Sequence, residues 1–433
     1  MERAAVDLDV LVGRLEGELG TAAVRVAPGG LADHAVDGMA PSVRCAPADA
    51  AQVAAVLRLC GEAGAAVIPR GGGTALHWGN PPRRADVVLS LERLDRLVEH
   101  DDANLTATVQ AGMPVTTCQQ VLARAGQFLP VDPPHPSRAT VGGVVAVGGG
   151  GPRRMLYGGV RDLVTGMGVV LADGQQIRAG GKVVKNVAGY DMCKLFTGSL
   201  GTLGVITDVT FRLAPVPEAE ATAVAWGDLP ALLALVDDLF ASVLQPAAVA
   251  VVGPHVAVRA GLAAGPAVAV RAEGFAEAVA RHTADVRRMA ASRDLRADEV
   301  SAEDHRRLWA TLADASGGPT PEALFRVAVP LGAVGDVVPA VHAAGAAQWI
   351  AHAGSGAVWV EVPAPEAAAW WDRLSGLAAQ HGGHCVLAAA PPEAKAGRDV
   401  WGPPPPTLGI MRELKRHFDP RGMLNPGRFL GGL

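Results

Sequence analysis

The sequence predicts an α+β protein with two principal domains, and three observations carry that prediction. Up to residue 214, strand-like and helix-like stretches mix without regular βαβ repetition, which argues against a doubly wound parallel sheet. Pro215-Val216-Pro217 then changes the texture of the chain and reads as a boundary. Beyond it, short Val/Ala runs alternate with Ala-rich helices, the pattern of an α+β domain of ferredoxin-like type. At 433 residues, 49% of them apolar, the chain has material for a core in each domain.

Taken in order, Leu8, Leu11, Val12, Leu15 and Leu19 mark one helical face. Asp49-Ala50-Ala51-Gln52 resembles a capping box, Val53, Val56, Leu57 and Cys60 continue as a stripe, and Gly61 or Gly64 ends the helix. Strands are expected at Ala65 to Ile68, Val87 to Ser90 and Thr106 to Val109, the last from its alternation. Pro114 opens a helix that runs to about Ala125 and closes at Gly126. In the second domain, strands are expected at Ala247 to Val252, Ala267 to Val270, Phe325 to Val329 and Ala357 to Val362. Helices are expected at Leu229 to Phe240, Ala276 to Ala291 and Glu366 to Gln380. Arg398 to Thr407 holds four consecutive prolines and reads as a stiff linker. A basic helix from Ile410 to Phe418 and two Pro/Gly turns complete the tail. The expected divisions are 1–38, 39–217, 218–397 and 398–433.

Composition excludes several function classes. A net charge of −5 without a long basic run argues against nucleic acid as the main partner. The start is acidic and has no long apolar run, so no secretory signal is expected. The apolar region Pro246 to Val270 is broken by Pro254, His255 and Arg259, so no membrane span is expected either. Cys45, Cys60, Cys118, Cys193 and Cys385 are scattered, with no C-x-x-C pair. They read as reduced, buried thiols of a cytoplasmic protein, not as ligands of a self-supplied iron–sulfur cluster or a zinc site.

Four glycine-bearing segments hold the chemistry. Pro69-Arg70-Gly71-Gly72-Gly73-Thr74 follows a short strand. Without Cβ atoms such a loop either makes a plain turn or converges its N–H groups on a pyrophosphate. Asp132-Pro133-Pro134-His135 feeds Thr140-Val141-Gly142-Gly143, then Ala146-Val147 and four more glycines. This places backbone against something flat or closely packed, or makes a turn before a core element. Gly180 to Asp191 sets charges beside glycines and leads to Gly198-Ser199-Leu200-Gly201-Thr202-Leu203-Gly204-Val205-Ile206-Thr207, a buried-type strand. Tyr157 and Tyr190 are the two tyrosines, both next to glycine; Tyr190 is either a core-rim residue or an active-site hydroxyl. The fourth segment is Phe418 to Arg428 in the tail.

Together these segments resemble the FAD-binding superfamily of vanillyl-alcohol oxidase and p-cresol methylhydroxylase, the PCMH type, over nearly the whole chain. The resemblance implies a two-subdomain FAD-binding domain over 39–217, a cap domain over 218–397, and a tail that returns to the flavin. It implies that Pro69, Arg70, Gly71, Gly72, Gly73 and Thr74 hold the FAD pyrophosphate. Asp132, Pro133, Thr140, Gly142, Gly143 and Ala146 would run along the ribityl chain and flavin, with Gly204, Val205, Ile206 and Asn425 completing the site. Within the superfamily, Gly181 to Asp191 and Gly198-Ser199-Leu200-Gly201 resemble the FAD-binding E subunit of bacterial glycolate oxidase. D-type relatives carry glutamate where Leu200 stands, and an acidic metal site whose nearest match here is His381-Gly382-Gly383-His384-Cys385. That match lacks hard oxygen ligands, so no catalytic metal is expected and His381 and His384 read as structural or surface residues. Gly73 stands where histidyl–flavin relatives carry His, so FAD is expected without a covalent link and His77 as a neighbour of the loop.

Oxidation of a 2-hydroxy acid needs a cation for the carboxylate and a base for the hydroxyl proton. By position Lys185, Tyr190 and Arg428 are the candidates, each also suited to a structural role. The resemblance implies a complex with a D-type flavoprotein and an iron–sulfur subunit, and a membrane location only through a partner. Three readings stay open: a glycolate-type dehydrogenase subunit, a stand-alone flavin oxidase for another alcohol, and a structural subunit without turnover.

Overall fold

The computed structural model describes residues 6–181, 190–318, 320, 322–346 and 348–433. The stripes read from the first half of the sequence pack together. Leu11, Leu15 and Leu19 of helix Leu8–Leu19 join Val53, Val56, Leu57 and Cys60 of helix Ala50–Ala63 in one core. Asp49 caps the second helix by accepting from Gln52 N at 2.8 Å, and Gly64 closes it in the left-handed region. This helix carries the chain from strand Val43–Cys45 to strand Val67–Arg70. Both run parallel to Val87–Ser90, which lies between them, and Val24–Val26 adds an antiparallel edge. Parallel neighbours need such a crossover. A second sheet is antiparallel throughout, in the order Leu97–Asp101, Thr106–Gln110, Val205–Arg212, Val164–Val170, Gln176–Gly180.

Residues from Ala219 onward build one eight-stranded antiparallel sheet. Its order is Arg296–Glu299, Ala219–Trp226, Ala267–Gly274, Ala248–Val252, Gln348–His352, Ala357–Val362, Ala323–Ala328, His384–Ala389. Each half has its fourth strand beside its first and its second at the far side, a ferredoxin-like unit. The two units join where Ala248–Val252 pairs with Gln348–His352. The sequence suggested one such unit; the structure has two, because polar or short strands such as Arg296–Glu299 carry little pattern.

Helices Leu229–Ala241, Ala276–Ala291, Val334–Ala343 and Ala367–Gln380 cover one face of this sheet. The other face carries Leu324, Ile350, Trp359 and Val386, packed with helix Ala302–Ala315 and with Trp78 of the first domain. Side chains alternate along strands, so Arg326, two residues after Leu324, and His352, two after Ile350, fall on this second face.

The tail re-enters the first domain. After helix Leu408–Phe418 the chain pairs with the free edge of Val67–Arg70: Val67 N donates to Met423 O at 2.8 Å and Asn425 N to Val67 O at 2.9 Å. A buried ammonium clamps the turn. Lys415 Nζ donates to Thr202 O (2.8 Å), Leu424 O (2.9 Å) and Asp419 Oδ2 (2.7 Å). Burial pulls the Lys415 pKa down, and the Asp419 carboxylate partly restores it. Asp419 also accepts from Met423 N and Leu424 N. No helix among the described residues is long and apolar enough to cross a membrane.

Removing one member of a buried ion pair strands the other. Asp419→Ala is therefore expected to destabilise the chain by about 3–5 kcal/mol, read as a lower urea midpoint at unchanged slope. A midpoint within experimental error of the wild type would mean that the tail is not held by this pair.

Candidate active site

Between the two domains lies a cleft of about 350 Å³. Pro69, Gly71, Gly72, Gly73, Thr74, Pro133, Thr140, Gly143, Ala146, Asn425 and Arg428 line it, drawn from segments far apart in the chain. Gly148 to Gly151, Trp78, Gly198 and Leu200 complete the wall on the first domain.

The glycine loop reaches this wall because it has no side chains to accommodate. A Cβ on Gly72 would overlap the carbonyl oxygen of Arg138, so the loop and the Arg138–Ala139 backbone pass in contact. Among the described residues, no carbonyl or side chain accepts from the N–H groups of Gly71, Gly72, Gly73 and Thr74. Four unspent donors in one turn suit the oxygens of a phosphate. Thr140 caps helix Val141–Val147, its Oγ1 accepting from Gly143 N at 3.3 Å. Asn425 sits at φ 42°, donates through Nδ2 to Leu200 O, and leaves its buried Oδ1 without a donor. Unspent donors at one end, an apolar floor of Val144, Ala146 and Val147, and an orphaned acceptor fit an extended dinucleotide such as FAD.

Other residues singled out in the sequence lie elsewhere. The Arg70 guanidinium folds beneath Gly73 and donates to Asp33 O at 3.4 Å, behind the loop. Asp132 sits under Gly151, accepting from Arg153 N at 3.4 Å; burial raises its pKa to about 6 against the pull of Arg153. Gly142 packs on Ala111 and Gly204 on Val169, while Val205 and Ile206 are in the core beneath the cleft. Arg428 is 3% exposed, with Nη2 donating to Leu76 O at 2.7 Å and to Trp78 O, and Asp37 3.8 Å from Nη1. Its charge is committed to holding the turn at residues 76–79. Tyr190 is 95% exposed and outside the cleft, and Lys185 lies outside the described residues. His77 points its Nε2 at Gly317 O, 3.1 Å away, and not into the cleft. His381 and His384 lie in the cap domain away from the cleft, and no group of three His, Cys, Asp or Glu among the described residues is placed to hold a metal.

Sequence reasoning missed the far end of the cleft. Arg326 and Trp359 are cross-strand neighbours, with the guanidinium 5.9 Å from the ring centroid. Arg154, on helix Arg154–Tyr157, lines the same space with His352 and Ser316. One signal was available: Arg326 is the single charge in the otherwise apolar run Ala323 to Val329. Arg154 has no such local mark.

Burial, aided by Arg154 and Arg326, pushes the His352 pKa down to about 4 from 6.5. Between those values the unfolded chain takes up a proton that the folded chain refuses, so this residue removes stability as pH falls through the window. His77, also lowered to about 4, acts with the same sign, and Asp132, raised to about 6, opposes both. His352→Gln is expected to flatten the fall of unfolding free energy between pH 6.5 and 4 by roughly 1.4 kcal/mol per pH unit. An unchanged slope would show that His352 is already protonated in the folded chain.

Comparison with known proteins places these features. Residues 41–180 match the family described as FAD binding domain, and residues 402–429 the C-terminal domain of FAD linked oxidases. The chain is 38% identical over 208 residues to the glycolate oxidase subunit GlcD of Bacillus subtilis, covering 48% of this chain and 44% of that protein. It is 45% identical over 124 residues to the subunit GlcE of Escherichia coli, covering 28% and 35%. The matched regions thus span less than half the length of either relative. The structure of p-cresol methylhydroxylase superposes with a TM-score of 0.74 at 17% identity, over 97% of this chain and 96% of that one, which establishes a shared fold. Residues 41–180 thus carry an FAD binding domain and residues 402–429 the C-terminal segment of FAD linked oxidases, in a chain that shares the fold of p-cresol methylhydroxylase.

Proposed function

We propose that the chain is an FAD-dependent oxidoreductase for the CH–OH group of a small 2-hydroxy acid, serving as the FAD-binding subunit of a glycolate-oxidase-like assembly. One observation supports this reading above the others. A single cleft joins unspent N–H donors at Gly71–Thr74 to polar cap-domain side chains across an apolar floor. FAD bound there supplies a two-electron acceptor at flavin N5. The residues of the chain do the rest. Gly71 to Thr74 bind phosphate oxygens, and Gly143 and Gly148–Gly151 let backbone lie against a flat ring. The cap sheet excludes water and presents the substrate. Arg428 is a positioning residue, acting through the turn that carries Trp78.

The cofactor is held without a covalent bond, since His77 is spent on Gly317 O and Gly73 offers no nucleophile. The five cysteines are buried free thiols, and no three of them group into a cluster site among the described residues, so electrons leaving the flavin need an external acceptor. The names of the relatives, both subunits of glycolate oxidase, support a multi-subunit assembly with a D-type flavoprotein, and the need for an external acceptor adds an iron–sulfur protein to the proposal.

Two measurements test the reading. The chain purified with FAD and mixed anaerobically with glycolate or D-lactate is expected to lose its yellow colour. Bleaching accompanied by peroxide in air would move the assignment to a stand-alone oxidase, and a chain that takes up no FAD would end it. A Cβ at Gly149 meets no protein atom within 4 Å, so a side chain there enters the cleft without strain on the fold. Gly149→Leu is expected to weaken FAD binding about tenfold or more at an unchanged unfolding midpoint of the apo chain; full flavin retention would place the cofactor elsewhere.

A further inference from the structure

The far end of the cleft holds two guanidiniums and, among the described residues, no carboxylate paired with either. Among the described residues, the Arg326 guanidinium has neither an ion pair nor a hydrogen bond; its partner is the face of Trp359. Among the same residues the Arg154 guanidinium has no ion pair or hydrogen bond either. The nearby acids are engaged elsewhere. Asp162 accepts from Gly159 N at 2.9 Å, Asp132 is held by Arg153, and Glu273 by Arg153 and Arg271. A guanidinium cannot shed its charge by deprotonation, so half-buried Arg326 carries a desolvation cost and a repulsion from Arg154, which is exposed at the mouth of the same site. A ligand carboxylate relieves both at once, since its paired oxygens match the fork of each arginine.

Beside them His352 is 7% exposed. Ser316 Oγ donates its one proton to Leu312 O at 2.6 Å and is 2.6 Å from His352 Nε2. With the Ser316 proton on Leu312 O, Nε2 carries the hydrogen and donates to Ser316, which leaves a lone pair on Nδ1. No donor faces that buried Nδ1. The 353–355 turn that follows His352 packs on Met155, next to Arg154, so the arginine and the histidine are fixed to each other through the backbone.

We propose that Arg154 and Arg326 form the subsite for the substrate carboxylate, and that His352 Nδ1 accepts the proton of the adjacent hydroxyl. The proposal rests on the 2-hydroxy-acid reading above and names the groups that carry it out. In a 2-hydroxy acid the hydroxyl carbon is bonded directly to the carboxyl carbon, so one anchor fixes the other. The O–H proton would pass to Nδ1, and FAD held by Gly71–Thr74 would supply the two-electron acceptor for the C2 hydride, leaving the C–O bond as the carbonyl of the 2-oxo acid. The carboxylate has a second effect. Arg154 and Arg326 suppress proton uptake by His352, and a bound anion cancels their field, so the base gains strength when substrate arrives.

The test uses the FAD-loaded full chain and oxalate, an unreactive carboxylate, followed by perturbation of the flavin spectrum. Flavin content and unfolding midpoint of each variant are set against the wild type. Arg154→Gln and Arg326→Gln are each expected to weaken oxalate at least roughly 30-fold, with Arg326→Lys intermediate. His352→Gln is expected to keep oxalate affinity while slowing bleaching by the reactive hydroxy acid about 100-fold or more and removing its acid limb. Wild-type oxalate affinity in both arginine variants would overturn the subsite, and if hydroxy acids still bleach the flavin the broader oxidation reading survives. Equal competition by phosphate at matched ionic strength would also overturn it, as a non-selective anion hole. Bleaching at the wild-type rate in His352→Gln would overturn the assignment of the base. Oxalate binding that depends on both arginines, without bleaching by any 2-hydroxy acid, would support the carboxylate subsite and overturn the reading of the reaction.

Discussion

The structure depends on two backbone hydrogen bonds made by Val67. Strand Val67–Arg70 lies at the edge of its sheet, and its outer side is paired by the tail through Met423 O and Asn425 N. An unpaired edge strand is a mobile and exposed one. Pairing it from the far end of the chain fixes the point from which the glycine loop departs. The same tail segment supplies Asn425 to the cleft wall and Arg428 to the turn at 76–79. Fold and site are thus joined at one place, and the buried Lys415–Asp419 pair keeps the tail in register with it.

The cap domain adds a second constraint. Two ferredoxin-like units fused edge to edge give a sheet wide enough to close one side of the cleft, with four helices on the opposite face. Strand alternation then decides which residues look into the cleft. Arg326, His352 and Trp359 come from three strands of the second unit, and they share a face because Arg326 pairs across from Trp359 and His352 across from Ala357. A one-residue slip in register would turn the arginine into the helical layer, where its charge has no partner.

How much of this could be read from the sequence depends on whether the physics leaves a local trace. The cleft wall of the first domain was legible because close backbone approach demands glycine, and glycines at Gly71–Gly73 and Gly143 are visible as composition. The helix caps at Asp49 and Gly64 and the stripe from Val53 to Cys60 were legible for the same kind of reason. Half of the cap strands were not. Arg296-Ala297-Asp298-Glu299 is a largely polar edge strand set by its pairing with Ala223–Trp226, so no periodicity announces it. The cationic end of the cleft was illegible for a further reason. Arg153 and Arg154 are adjacent in sequence, yet Arg153 pairs with Asp132 and Glu273 while Arg154 has no carboxylate. Only the tertiary arrangement separates a structural arginine from one left open for a ligand. Tyr190 illustrates the converse: its glycine neighbourhood drew attention, and the folded chain leaves its ring on the surface.

The central claim is that distant backbone segments converge on one bound dinucleotide, and amide hydrogen exchange on adding FAD measures that convergence most directly. The account predicts simultaneous protection of Gly71–Thr74, whose N–H groups have no acceptor among the described residues, of Gly143–Gly151, and of the backbone around Asn425. Protection confined to one of these segments, or appearing only outside the cleft, would contradict it.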